Sequence, residues 1–527
     1  MRPWRAAAVA LAALGALTLA AGCRPAAPPA AGIQVLEASL ETLQQAILSG
    51  DTSCAAVVEA HLARIEAFDT VRGLGAITFL NPAAPTRAAE LDAALARGET
   101  PGPLFCAPLL VKDNFDTHDL PTTAGSIALA EHRPEADAFV LARLRAAGAI
   151  VLAKTNMGEW AFSPRQTVSS THGRTVNAYA PARTPAGSSG GTASGVAASF
   201  GVAGLGTDTG NSVRGPSAHL GLVGLRPTLG LVSRSGIVPL AWDRDTAGPM
   251  ARSVRDAARL LDVMAGSDPE DDYTLAADAR RAADYTAALD RDALQGRRLA
   301  VLWPHADPQD SDLEVTTLFT RALEDLEHLG ATLLPAWRVP ELDTLLTPEM
   351  FCGRFRYDMA RYLERLGARA PLTDVAEVLD TGQHSPDVEA GLRRALETAV
   401  DRHPGDSNPN CREFAAHEGR QALLAAVTAA MDADAVDALV FPSWRHAPAA
   451  LETAVEDYRG DNSQGVVPAA GLPAVTVPMG MLWGELPAGL QFVGRRWDDA
   501  RLLAMAYAYE QGTSHRRPPQ GFPPLTP

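Results

Sequence analysis

An α/β fold, with a central twisted, mixed and mostly parallel β-sheet covered by helices, is predicted by three observations on this 527-residue chain. Short apolar runs of strand type alternate with helical patterns between residues 75 and 206, the alternation of a layered α/β structure. Strand texture returns near the C-terminus, in AVTVPM (474–479) and GLQFVG (489–494). Hydrophobic residues make up 46% and charged residues 20%, the proportions of a chain that buries a large core.

The elements follow in order. Ser39 to Leu48 and Ser53 to Phe68 read as two helices separated by Gly50, each opened by a serine cap. GAITF (75–79) and APLLV (107–111) read as buried strands. Ala136 to Ala147 has helical spacing, with Val140, Leu141 and Leu144 on one side, and leads into the strand AIVLA (149–153). VAGLG (202–206) is a further strand. From about Asp268 to Pro448 longer helical patterns dominate, at Leu313–Leu329, Met350–Leu366 and Phe414–Met431, interrupted by RRLAVLW (297–303) and ALVFP (438–442). No Gly/Ser-rich linker flanks this region, so it is expected to be a helical elaboration on the same core. Asp498–Gln511 closes the pattern as a helix.

The N-terminus has the texture of an export signal. Arg2 and Arg5 precede an Ala/Leu run from Ala6 to Ala21, which ends at Ala20-Ala21-Gly22-Cys23. Residues 1–22 are expected to be a signal peptide, and Cys23 after small residues resembles the acylated cysteine of bacterial lipoproteins. The usual leucine three residues before the cysteine is Ala20 here, with Leu19 one step further out. Residues 23–34 read as a Pro/Ala-rich tether. The expected location is the cell envelope, on a membrane through Cys23. The apolar run is too short for a spanning helix, which needs about 20 residues. Four cysteines remain, Cys54, Cys106, Cys352 and Cys411, which allow three full pairings. Cys352 with Cys411 is preferred, since both lie in the helical middle of the chain. No Cys-x-x-Cys spacing points to a metal. A net charge of −16, without a basic run, argues against nucleic acid as a partner.

Of 46 basic side chains 44 are arginine, and the two lysines are Lys112, in LLVKDN, and Lys154. An amine can be desolvated into a neutral base, whereas a guanidinium stays charged. Downstream lie two Gly/Ser-rich stretches, AGSSGGTASG (186–195) and GLGTDTGNSVRG (204–215), each abutting apolar segments rather than standing as linkers. Glycines let backbone N–H groups converge on an anion, and a serine beside such a nest is a candidate acyl-transfer nucleophile. Phosphate binding fits poorly, because the spacing matches neither the dinucleotide fingerprint nor a P-loop. Gly187-Ser188-Ser189-Gly190-Gly191 formally satisfies G-x-S-x-G with Ser189 as an α/β-hydrolase nucleophile, although none of His403, His417 and His446 stands out as its partner. A serine served by a lysine base is the third arrangement, and no Ser-x-x-Lys precedes either lysine.

LLVKDN, the two Gly/Ser-rich stretches, TTAGS (122–126), AIVLAKTNMGEWA (149–161), LVGLRPTLGLVSRSGIVP (222–239) and AGLPAVTVP (470–478) form an ordered series that resembles the amidase signature family. The resemblance covers roughly residues 35–515 and implies one large domain, with 516–527 as a C-terminal tail and 268–448 as the region that shapes the substrate pocket. It implies hydrolysis of a carbon–nitrogen amide bond, without cofactor or metal, on a small-molecule or peptide amide. Family members use a Ser–Ser–Lys triad whose bridging serine follows a cis peptide bond. Carried over by motif position, the nucleophile is Ser212, the bridge Ser188 and the base Lys112. The backbone amides of Thr209, Gly210, Asn211 and Ser212 would form the oxyanion hole, with Asp208, Arg214 and Ser189 in support and Lys154 structural. The tRNA-dependent amidotransferase member of the family, which is cytoplasmic, is disfavoured by the export signal. Two further readings are a catalytically silent envelope-binding lipoprotein of the same fold and an esterase using Ser189. Asn211 departs from the Gly-Gly-Ser of many members, and asparagine's tolerance of positive φ is expected to preserve the turn. An exposed lysine is only about 0.04% neutral at pH 7, so a basic Lys112 needs its pKa lowered by about three units, roughly 4 kcal/mol. Its place after the buried run APLLV would help supply that.

Overall fold

The protein is described here as a computed structural model covering residues 33–70 and 73–525. The signal peptide, Cys23 and the tether up to residue 32 lie outside the described residues.

Thirteen strands are described: β1 (Ile77–Leu80), β2 (Ala107–Lys112), β3 (Ala149–Thr155), β4 (Val168–Ser169), β5 (Gly173–Arg174), β6 (Ala203–Thr207), β7 (Val223–Arg226), β8 (Ala247–Ala251), β9 (Arg298–Leu302), β10 (Thr332–Trp337), β11 (Ala438–Pro442), β12 (Ala474–Leu482) and β13 (Leu486–Val493). All but β4 and β5 join one sheet in the order β1-β3-β2-β6-β8-β7-β12-β13-β11-β9-β10. The sheet is mixed. Parallel pairs form two blocks, β3-β2-β6 and β11-β9-β10, and antiparallel pairs make the centre and the β1 edge. The expected parallel pairing therefore holds within the blocks and stops at the seam between them. The reason is local: the chain reaches β3 from β2 through the helix Phe139–Ala146, and β10 from β9 through the helix Leu313–His328. By contrast β12 turns straight into β13 as a hairpin, which can only pair antiparallel.

The predicted caps are in place. Ser39 Oγ accepts from the Thr42 amide and Ser53 Oγ from the Ala56 amide, opening the helices Leu40–Leu48 and Cys54–Ile65. The region 268–448 adds β9, β10 and β11 to the same sheet, and its helices pack apolar clusters of their own beside the main core. Its helices Phe355–Leu366 and Glu418–Ala433 bury Phe355, Met359, Leu423 and Val427. Cys352 pairs with Cys411 as expected, and Cys54 pairs with Cys106. The tail from residue 516 is docked: Arg516 pairs with Glu37 at 2.7 Å, and buried Phe522 meets the rings of Phe68 and Phe200 edge-on.

What positions the site is the parallel pair β2–β6. Leu109, Leu110 and Val111 stand opposite Ala203, Gly204 and Leu205, and both strands are buried along their whole length. Lys112 and Thr207, the last residues of the two strands, therefore emerge near each other at the carboxyl ends of the pair. In α/β sheets the region beyond the carboxyl ends of parallel strands is where ligand crevices form.

Candidate active site

Lys112 is completely buried, and its Nζ lies 2.8 Å from Ser188 Oγ and 2.8 Å from Thr207 Oγ1. The Thr207 carbonyl is 3.5 Å away, and Asn114 Nδ2 donates to Thr207 Oγ1 at 3.1 Å. A neutral amine has two N–H groups and one lone pair. Donating both N–H groups to Thr207 leaves the lone pair for the Ser188 hydroxyl. Burial pulls the Lys112 ammonium down to about 7, against the opposing attraction of Asp245 and Asp208. This is the displacement a lysine base requires.

Ser188 follows a cis peptide bond from Gly187 and is completely buried. The helix Gly190–Ala197 starts two residues later and is buried throughout, so the first Gly/Ser-rich stretch is packed structure and not a linker. Ser189 points elsewhere: its hydroxyl donates to the Thr207 carbonyl at 3.4 Å. Among the described residues no imidazole hydrogen-bonds to it. His403 contacts Glu413, His417 caps the helix that starts at Glu418, and His446 lies beside Asp312. The nucleophile-elbow arrangement is therefore not met at Ser189.

Residues 208–213 link β6 to the short helix Arg214–His219. Among the described residues, none accepts a hydrogen bond from the backbone N–H of Thr209, Gly210, Asn211 or Ser212. Four consecutive donors without a protein acceptor are what an anion-binding loop would need. Asp208 holds the loop from beneath. Its carboxylate accepts from the Val213 amide at 3.1 Å, from Arg214 Nε and Nη2 at 3.2 and 3.0 Å, and from Arg226 Nη1 at 2.9 Å. Burial opposes its charge, yet the Arg214 and Arg226 guanidiniums outweigh burial and hold it well below the usual carboxylate range. Arg214 also donates to the carbonyls of Gly210 at 2.6 Å and Ser463 at 2.9 Å, and Thr209 Oγ1 donates to Asp245 at 2.5 Å.

The turn corrects one expectation. Neither Gly210 nor Asn211 has a positive φ, so asparagine's tolerance of that region is not what preserves it. Gly210 leaves room for the Gln464 side chain, whose end would have to shift if a Cβ were added, since that atom would lie 2.0 Å from Gln464 Oε1. Ser212 is 6% exposed. Its hydroxyl donates to Asn211 Oδ1 at 3.3 Å, and among the described residues it makes no hydrogen bond to Ser188.

Lys154 is buried 3.2 Å from the Asp113 carboxylate and donates to the Phe115 and Pro121 carbonyls and the Thr122 hydroxyl. It clips the loop after β2 and stands apart from the serines. Sequence reading missed Thr207, Asn114, Arg226 and Gln464. Thr207 had a signal, since it ends a strand-type run beside Asp208. The other three depend on tertiary placement. A cavity of about 820 Å³ is lined by Arg234, Trp242, Tyr273, Arg354 and Tyr362, but not by Lys112, Ser188 or Ser212. It shares its Arg234–Trp242 wall with a small recess at Thr207, Thr209 and Asp245.

Comparison with known proteins identifies the family. Structurally, the chain is similar to the peptide amidase of Stenotrophomonas maltophilia, with 36% identity, a TM-score of 0.81, and coverage of 92% of this chain and 98% of that one. An amidase family protein of Bacillus anthracis strain Ames gives 28% identity and a TM-score of 0.80, over 92% of this chain and 93% of that one. In sequence it is 34% identical over 497 residues to a glutamyl-tRNA(Gln) amidotransferase subunit from Thermosynechococcus vestitus, covering 91% of this chain and 99% of that protein. With residues 56–503 matching the amidase family model, the chain belongs to the amidase family.

Proposed function

We propose that the protein hydrolyses a carbon–nitrogen amide bond with Ser212 as nucleophile, Ser188 as proton bridge and Lys112 as base. The observation that carries this reading is the buried Lys112 amine, 2.8 Å from Ser188 Oγ and depressed to about 7. Neutral Lys112 takes the Ser188 proton as Ser188 takes that of Ser212, and Ser212 Oγ attacks the carbonyl carbon. The tetrahedral oxyanion is received by the free amides of residues 209–212, an interaction in which each donor is worth about 3–4 kcal/mol. As the C–N bond breaks, the proton returns through Ser188 to the departing amine. Water, deprotonated by the same relay, then attacks the acyl-enzyme and releases the acid.

The substrate is a small-molecule or peptide amide, a class supported by the peptide amidase relative at 36% identity. Release into an oxidising compartment is supported by the two disulfides, which are rare in reducing cytosol. We place the protein on the cell envelope through an acylated Cys23. A fluorophosphonate probe tests the chemistry: labelling should vanish in Ser212→Ala and persist in Ser189→Ala, and the opposite pattern would reject the assignment. Palmitate incorporation lost in Cys23→Ser tests the anchor.

A further inference from the structure

Asn211 is built into its place more firmly than a loop residue needs to be. It is 1% exposed, and Nδ2 reaches the Pro164 carbonyl at 3.5 Å. Gly215 makes its seat, since a Cβ there would lie 2.9 Å from Asn211 Nδ2 and 3.1 Å from the Trp444 ring. The contact with Pro164 orients the amide. Reversed, its oxygen would confront the Pro164 carbonyl, two acceptors with no proton between them. Asn211 Oδ1 is thus fixed toward Ser212, whose hydroxyl donates to it at 3.3 Å.

A hydroxyl has one proton to donate. While that proton is on Asn211 Oδ1, Ser188 cannot take it, whatever the state of Lys112. We propose that Asn211 is a positioning residue that parks the nucleophile, so that Ser212 joins the relay only when it rotates its hydroxyl from Asn211 to Ser188. This inference rests on the Ser212–Ser188–Lys112 reading and deepens it. In its consequence, small acylating or phosphonylating reagents that do not fill the site meet a nucleophile held out of line. A bound amide substrate, by engaging the free amides beside Asn211, repositions it.

The test is the second-order rate of inactivation by a small fluorophosphonate at pH 8, read with the melting temperature of each variant. Removing one net hydrogen bond that competes with the reactive geometry should raise the rate about two- to tenfold in Asn211→Gly and in Asn211→Ala. Asn211→Asp keeps the acceptor and makes it an anion, whose hydrogen bonds are roughly twice as strong, so its rate should fall about tenfold. A merely structural residue would lower the rate in all three. Wild-type or slower inactivation in folded Asn211→Gly and Asn211→Ala overturns the proposal, and so does failure of both variants to fold. Labelling that persists in Ser212→Ala overturns the nucleophile assignment itself. Labelling lost there, with no acceleration at residue 211, overturns only the role of Asn211.

Discussion

Asp208 and Arg214, six residues apart, form a two-point ion pair with neither side chain exposed: Nη2 to Oδ1 at 3.0 Å and Nε to Oδ2 at 3.2 Å. Arg226 reaches the same carboxylate from β7. One anion thus balances two guanidiniums under the four free amides. Asp208→Asn removes that anion and leaves two buried cations facing an amide. Breaking a buried pair in this way costs about 3–5 kcal/mol, so urea unfolding should show a loss of that size. Activity should fall with it, because asparagine keeps one acceptor oxygen, so the donors on the other, either the Val213 amide and Arg214 Nε or Arg214 Nη2 and Arg226 Nη1, meet an NH2 group instead. An unchanged unfolding midpoint would mean that the loop is held by something else.

The Lys112 amine gives two pH signatures. As the base it must be neutral, so kcat/KM should rise with pH through about 7 and level off above. Lys112→Arg, a permanent cation, should be inactive throughout. The stability signature has its own sign. Between pH 7 and about 10 the unfolded chain holds a proton on this lysine that the folded chain has released, so stability rises with pH there, by up to about 1.4 kcal/mol per unit. Lys112→Met should flatten that rise relative to wild type, measured by urea unfolding at pH 7 and pH 9. The same slope in both proteins would contradict a depressed Lys112.

Lys154 should behave differently, although it is the only other lysine. Burial pulls its ammonium down, while Asp113 at 3.2 Å holds the charge in place. Lys154→Met leaves Asp113 buried without a counter-ion and two carbonyls, those of Phe115 and Pro121, without this donor. A loss of about 3–5 kcal/mol is expected. Any activity that survives should keep the wild-type midpoint near pH 7. A displaced midpoint would show that Lys154 takes part in the proton relay.

Much of this was legible from local chemistry. The strand before Lys112 reads as buried because APLLV contains no polar residue, and two lysines among 46 cations draw attention to themselves. The Ser39 and Ser53 caps precede apolar helical spacing and fold as such. What stayed hidden depends on long-range register. Thr207 completes the lysine's hydrogen bonds only because β2 and β6 pair in parallel, 95 residues apart. Cys54 with Cys106 joins a helix start to the residue before β2, which no spacing rule discloses. The antiparallel seam was obscured because buried strands read as apolar runs whatever the direction of their neighbours. At Gly210 the sequence suggests a backbone requirement, and the structure instead shows a side chain arriving from residue 464.

That arrival leads to a test of the oxyanion loop. A Cβ on Gly210 would meet Gln464 Oε1 at 2.0 Å and Cδ at 2.9 Å. Gln464 is tied in place, since its Nε2 donates to Tyr458 OH at 3.2 Å and that hydroxyl donates to Asp461 at 2.9 Å. In Gly210→Ala, then, either Gln464 leaves Tyr458 or the loop and its free amides move. Overpacking of this kind costs about 1–3 kcal/mol, and displaced amides should lower kcat about 10- to 100-fold while KM changes little. Adding Gln464→Ala removes the obstacle. The double variant should recover most of the lost kcat, giving a coupling energy of at least about 1 kcal/mol between positions 210 and 464. Strictly additive losses in that cycle would show that the glycine serves some purpose other than making room for the glutamine.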